Sequence, residues 1–267
     1  MSRLFRLLKK PHLIPKKIFD RFMFFILCFF YDEKKYYEIQ KKLFHNADLD
    51  LEGTDERLAE IYSKNPNIEK DMSSAHHNVF VSIQKKNVKI KEILEIGTFS
   101  GSGAALLSEL FPDARITTID LNDDHDLFKN TYEREDYLQR QKFIENRNKL
   151  LSCYENIEFK QMNSLALTFL NKKYDLIWVD GAHGYPVATC DIVNSLRLIS
   201  AKGFLVCDDV YTRAIKNDEM YSSTATYETL VALSEAGLIG YNLVLKRIVK
   251  PWGRLFFRKY IAVVRKI

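Results

Sequence analysis

The side chains best suited to chemistry are four that stand at the ends of two apolar runs. Asp180 ends DLIWVD, His183 follows in GAHGY, and Asp208 with Asp209 ends GFLVCDD. Short apolar runs of this kind read as buried strands, and in an open α/β sheet ligands bind where such strands end. Three carboxylates converging there repel one another unless something positive lies between them. A divalent cation answers that need, and an oxygen-only donor set favours Mg²⁺, Mn²⁺ or Ca²⁺ over zinc. His183 stands at the strand–helix corner, where an imidazole that titrates near neutrality can take a proton from a substrate hydroxyl. A bound metal would make that hydroxyl more acidic. Taken singly, each residue also has a plainer role open to it: Asp180 as a helix cap, Asp208–Asp209 as a turn facing water, His183 as a surface corner.

A second group lies upstream. ILEIGTFSGSGA (93–104) is an apolar run closing in Glu95-x-Gly97, then a glycine-containing turn, then a helix-compatible segment; ITTID (116–120) follows and ends in Asp120. Gly97 and Gly101 allow a tight turn and close approach of the backbone to a ligand, and Asp120 at the next strand tip can accept hydrogen bonds from two ribose hydroxyls. The unit suits a nucleoside cofactor, either NAD or S-adenosylmethionine. The dinucleotide fingerprint G-x-G-x-x-G places its second glycine against a pyrophosphate, whereas here Phe99 takes that place. Glu95 adds an anion beside the turn, which favours the cationic S-adenosylmethionine. Thr98 and Ser100 are candidates for the methionine carboxylate, and Asn163-Ser164, after the run at 157–162, for the adenine edge, although helix capping explains that pair equally well. His76 and His77 are assigned no role.

Together these residues resemble the class I S-adenosylmethionine-dependent methyltransferases. D-G-x-H followed by D-D after the next strand is similar to their metal-dependent sugar-modifying and macrolide-type O-methyltransferases, over about residues 70–265. The resemblance implies S-adenosylmethionine as cofactor, Mg²⁺ or Mn²⁺ on Asp180, Asp208 and Asp209, and His183 as base. Asp209 departs from the catechol-type enzymes, which have Asp-Asn there. Asp191 sits where the group often has an acid, without a role that follows from it. The N-P-P-[YFW] motif of nucleic-acid methyltransferases does not occur after the run at 174–180.

The elements that must position these residues alternate along the chain. Strands are expected at 91–97, 115–120, 157–162, 174–180 and 203–208, and helices at 71–86, 102–111, 164–172 and 184–200. The polar stretch 122–153 reads as a mostly exposed helical segment. This is the pattern of a Rossmann-like, doubly wound, mostly parallel α/β sheet. Two β-rich runs around Pro251-Trp252-Gly253 predict a C-terminal hairpin, which the resemblance places as the antiparallel end of a seven-stranded sheet; a membrane-binding amphipathic tail competes with it. Residues 1–60 are expected as a helical extension and 61–267 as the methyltransferase domain. The polar segment 211–226 is a candidate substrate loop.

Charge is unevenly spread. Residues 1–31 carry +6 and residues 241–267 carry +8, which leaves −9 for the middle of a chain whose net charge is +5. An acidic body with basic ends argues against nucleic acid as a partner and for a lipid- or phosphate-linked substrate or an anionic membrane face. The run FMFFILCFFY (22–31) spans about 15 Å as a helix, half a bilayer core. It reads equally as an interfacial helix or as one docked on this chain or a second copy. Four scattered cysteines indicate reduced thiols. The expectation is a cytoplasmic O-methyltransferase, peripheral on the inner membrane face or free of it, acting on a sugar or related small molecule. The alternatives are a nicotinamide-dependent oxidoreductase and a non-catalytic, membrane-associated nucleoside-binding protein.

Overall fold

The computed structural model describes residues 28–70, 74–131, 134–213, 223–248 and 259–267, together with Phe19, Phe22, Phe25 and Ile26. Three helices, α1 (Glu33–Asn46), α2 (Thr54–Lys64) and α3 (His76–Lys85), precede the alternating core. That core runs β1 (Glu92–Ile96), α4 (Ser102–Leu110), β2 (Arg115–Asp120), α5 (Asp126–Lys129), α6 (Tyr137–Leu151), β3 (Ile157–Gln161), a 3-10 turn at Ser164–Phe169, β4 (Tyr174–Val179), α7 (Val187–Leu198) and β5 (Ile199–Tyr211). It ends in α8 (Ala225–Glu235), β6 (Ile239–Leu245) and β7 (Lys259–Lys266).

The seven strands form one sheet in the order β3-β2-β1-β4-β5-β7-β6. β3 through β5 pair in parallel, and β7 is antiparallel to both neighbours. The strand period of two distributes the apolar side chains over both faces. Ile93, Ile116, Trp178 and Val206 join one core layer with α1 to α4, while Leu94, Ile119, Ile177 and Leu205 join the other with α7 and α8. A sheet buried on both faces needs such continuous apolar runs, and the run-based expectations hold for that reason. β5 is longer than the expected 203–208, because Ile199 already pairs with Tyr174 on the far side of a register shift.

The expected division at residue 60 falls within α2. Phe44, Leu49, Leu58 and Ile61 share one core layer with the sheet, so α1 and α2 complete the same core. Helix α1 also covers the sheet's edge. The buried Gln40 donates its amide to Leu245 O (2.8 Å) and accepts from Leu245 N (2.9 Å), so it satisfies an edge residue of β6 as a further strand would. Met23, Phe24 and Leu27 of the run 22–31, and most of the candidate loop 211–226, lie outside the described residues. Among the described residues Phe19, Phe22, Phe25, Phe29 and Phe30 are exposed, and no helix is long and apolar enough to cross a membrane.

Candidate active site

Parallel strands deliver their carboxyl ends to one edge, and two neighbouring tips, β1 and β4, carry the two groups of residues. They touch. Gly97 has φ 103°, and a Cβ there would lie 2.4 Å from Asp180 O. Asp180 N in turn donates to Ile96 O at 2.9 Å. Only glycine accepts both that backbone and that proximity, so the cofactor turn and the acidic corner are fixed against each other.

Within the turn the expected ligands divide. Asp120 holds the turn from below: Oδ2 accepts from Phe99 N (2.9 Å) and Oδ1 from Leu121 N (2.8 Å), leaving a second lone pair on each oxygen for a ribose. Ser100 stays near the surface, within 3.3 Å of Glu69 and Ser102. Gly101, at φ 83°, starts α4. Thr98 and Glu95, by contrast, turn inward. The Thr98 hydroxyl pairs with that of Thr118 at 2.6 Å, and Thr118 donates to Glu95. Glu95 is 1% exposed, and its Oε1 lies 2.3 Å from where a Cβ on Gly103 would be. Burial pushes its carboxyl up to about 8, opposed by the Thr118 hydrogen bond and assisted by the Asp120 charge. The expected anion beside the ligand is therefore a neutral acid beneath the turn at pH 7. Asn163 caps the 3-10 turn, accepting from Leu165 N at 3.0 Å, and Ser164 is that turn's first residue.

The four chemical side chains do converge. His183 Nε2 lies 3.8 Å from Asp180 Oδ1 and 3.7 Å from Asp209 Oδ2. Adjacent strand residues point to opposite faces, so Asp208 and Asp209 share a target only because the backbone breaks the rule. The β5–β7 register shifts between Cys207 and Val210, and Asp209 sits at φ 52°. This bulge re-aims one of the two aspartates.

What they share is the ammonium of Lys246. It donates to Asp208 Oδ2 and, at 2.6 Å, to Asp209 Oδ1. Lys259, opposite Lys246 across the hairpin, donates to Asp209 Oδ2. The positive charge anticipated between the acids is thus present as side chains. Asp208 Oδ2 and both oxygens of Asp209, which would ligate a divalent ion, face ammonium protons, and among the described residues no group of three His, Cys, Asp or Glu side chains is arranged to hold an ion. Asp180, Asp208 and Asp209 in this arrangement do not fit the expected Mg²⁺ or Mn²⁺ site.

The electrostatics follow from that pairing. Burial alone would raise the Asp208 carboxyl, but the Lys246 charge and hydrogen bond, with Asp180 and His183, together more than reverse it, and Asp209 is held low by Lys246, His183 and Lys259 against burial and Asp208. Lys246, 8% exposed at its side chain, would be lowered by burial and is raised instead by its acids. Asp180 is pushed above its ordinary range by loss of water and by the adjacent Asp208, although its side chain keeps 34% of its surface exposed. Burial lowers the His183 imidazole, leaving it neutral and able to accept a proton at pH 7.

Other charged residues escaped the sequence reading. Arg147, in a helix expected to be mostly exposed, is fully buried and pairs with Asp123 through two 2.8 Å bonds while lying over Phe159. Arg134 stacks 3.8 Å from the Phe128 ring and 5.1 Å from Phe143, beside Phe99. Asp191 is wholly buried in α7, and burial pushes it up to about 6. His76 and His77 are core-packed: His76 stacks on Trp178 and meets Ser74 at 2.6 Å.

A glycine turn closed by a strand-tip acid, in this strand order with an antiparallel β7, defines a class I methyltransferase fold. Residues 94–210 match the family model of the methyltransferase domain, and the chain has the fold of the class I methyltransferases. Among solved structures it is similar to a protein from Staphylococcus aureus assigned as a caffeoyl-CoA O-methyltransferase (17% identity, 79% of this chain and 91% of that one, TM-score 0.52). It is also similar to the SAH-bound methyltransferase PaMTH1 of Podospora anserina (18%, 81% and 96%, TM-score 0.51). A third is the O-methyltransferase TomG of Streptomyces achromogenes, involved in tomaymycin synthesis and solved with SAM (15%, 70% and 78%, TM-score 0.50). No curated protein sequence matches the chain.

Proposed function

We propose that the protein transfers the methyl group of S-adenosylmethionine to a hydroxyl of a sugar or related small molecule, with His183 as the base. The contact of Gly97 with the Asp180 backbone carries this reading. It sets the turn that would hold the donor against the corner that bears His183, so that acceptor and methyl group meet between two adjacent strand tips. Asp120 would take the ribose hydroxyls, Ser100 would approach the methionine end, and Asn163 with Ser164 would border the adenine.

In the reaction, the substrate O–H gives its proton to His183 as an oxygen lone pair forms the new C–O bond. The C–S bond breaks with its electron pair passing to sulfur, which leaves neutral S-adenosylhomocysteine. Water later removes the proton from His183. A neutral imidazole is the form this requires, and burial keeps it so. The basic ends of the chain favour a lipid- or phosphate-linked glycan precursor as the acceptor.

The test is a methyl-transfer assay over a panel of hydroxyl-bearing glycans and small molecules, with His183→Ala alongside. That variant is expected to bind S-adenosylhomocysteine as the wild type does and to turn over about 10²–10⁴-fold more slowly. Wild-type turnover by the variant removes His183 from the mechanism.

A further inference from the structure

We propose that the Lys246 ammonium, backed by Lys259, stands permanently where the resembled enzymes hold a divalent cation, so that methyl transfer here needs no added metal. The inference rests on the O-methyltransferase reading above and deepens it, assigning Lys246 as the group that meets the substrate oxygen beside His183.

Four observations converge. Lys246 contacts both members of the D-D pair, and Lys259 takes the remaining oxygen of Asp209. Two ammonium groups carry the charge of one divalent ion, so the acids are neutralised to the same degree. Lys246 is not a surface lysine that has swung inward. Its N–H donates to Lys259 O (3.0 Å), its carbonyl accepts from Ala75 N (2.8 Å), and Gln40 clamps the preceding residue on both backbone groups. A lysine fixed by its backbone at three adjoining points and nearly enclosed is part of the fold. Finally, the bulge at Asp208–Asp209 aims both carboxylates at this one ammonium.

The chemistry is balanced without a metal. An ammonium has three protons, and the two described acid contacts use two of them. The third donates to the substrate oxygen, stabilising the charge that develops as His183 removes the hydroxyl proton. Lys246 gives up no proton and remains an ammonium throughout; the methyl group and the electron pair move as already described.

Two arms test this, and the first needs no substrate. Free Mn²⁺ is followed by electron paramagnetic resonance during titration of the wild type and of Lys246→Met. The wild type is expected to leave the Mn²⁺ signal unchanged. The Met variant, with Asp208 uncompensated and Asp209 left with Lys259 alone, is expected to bind about one ion at least tenfold more tightly. Stoichiometric Mn²⁺ binding by the wild type that Asp209→Asn abolishes overturns the proposal. So does a folded Met variant that binds none, because the acids would then not form a cation site. If Lys246→Met does not fold, the wild-type titration alone decides.

The second arm uses turnover of any accepted substrate. Wild-type rate after EDTA treatment should stay within about twofold on adding Mg²⁺ or Mn²⁺, with Lys246→Arg keeping more activity than Lys246→Met. Activity abolished by EDTA and restored by Mn²⁺ refutes the proposal. Failure of every substrate would strike the O-methyltransferase reading, and the Mn²⁺ titration would still return its own answer.

Discussion

Glu95→Gln separates two accounts of the cofactor turn. As an anion facing a sulfonium, Glu95 would contribute affinity. As a neutral acid sealed beneath the turn, it contributes packing and a pH-dependent cost. The structure favours the second, with the carboxyl 1% exposed and burial pushing it up to about 8. The sign is fixed by comparing the two states. The unfolded carboxyl ionises near 4.5 and the folded one near 8, so the folded state binds the extra proton between them, and stability falls as pH rises through that window. At 1.36 kcal/mol per pH unit, and with titration half complete at the upper end, the loss between pH 6 and pH 8 is roughly 2.5 kcal/mol. Glutamine keeps the shape and the bond from Thr118 but has no proton to lose. Urea denaturation at pH 6 and pH 8 should therefore show the Gln variant gaining roughly 2.5 kcal/mol on the wild type over that interval. S-adenosylhomocysteine and S-adenosylmethionine should bind both proteins at pH 7 within about threefold. Equal pH dependence of the two proteins refutes the buried-acid account. A tenfold loss of S-adenosylmethionine affinity, with S-adenosylhomocysteine spared, would restore the anion.

Asp120→Ala removes the acceptor of Phe99 N–H along with the ribose site, so cofactor affinity by isothermal titration should drop about tenfold or more; unchanged affinity rejects the ribose role. His76 is held near 3 by burial, with Lys246 and Arg247 adding to the effect and Asp209 opposing it. The unfolded imidazole takes a proton from pH 6.5 downward while the folded one refuses it, so stability present above 6.5 is lost as pH falls toward 3. His76→Phe should accordingly gain about 2 kcal/mol on the wild type between pH 6.5 and pH 5 in thermal or urea denaturation, and parallel curves would show that His76 is not neutral in the folded state.

Much of the sheet was legible because both its faces are buried. Runs such as ILEI and DLIWV admit few readings other than buried strands, and β2 runs over Arg115–Asp120 as expected. The strand-tip acids were legible for a related reason: polar residues that end apolar runs must emerge at the sheet edge. Their counter-charges were not. Lys246 reaches aspartates 37 and 38 positions away, through a hairpin register that no local pattern encodes. Lysine is also among the residues least expected inside, so eight basic residues near the C-terminus read as an outer face toward lipid or phosphate. One signal did point the other way. A body of −9 beside a segment of +8 is a pairing waiting to be made, and Lys246 directly follows the buried Val244 and Leu245. Motif position places Thr98 and Glu95 at the ligand; their inward orientation depends on Thr118 of the next strand, which spacing within one loop cannot reveal.

The D-D pair shows how one backbone irregularity decides a site's chemistry. In a regular strand Asp208 and Asp209 would face opposite sides of the sheet, and one would lie in the apolar layer with Ile177 and Leu205 at a cost of several kcal/mol. The bulge avoids this at the expense of a left-handed residue, which Asp tolerates better than most side chains. The extra residue also shifts the rest of β5 by one position, so that Val210 and Tyr211 meet Tyr260 and Lys259. The same irregularity thus turns Asp209 toward Lys246 and brings Lys259 alongside it. Ladder, bulge and hairpin register form one device, and it delivers two ammonium groups to the corner where His183 waits.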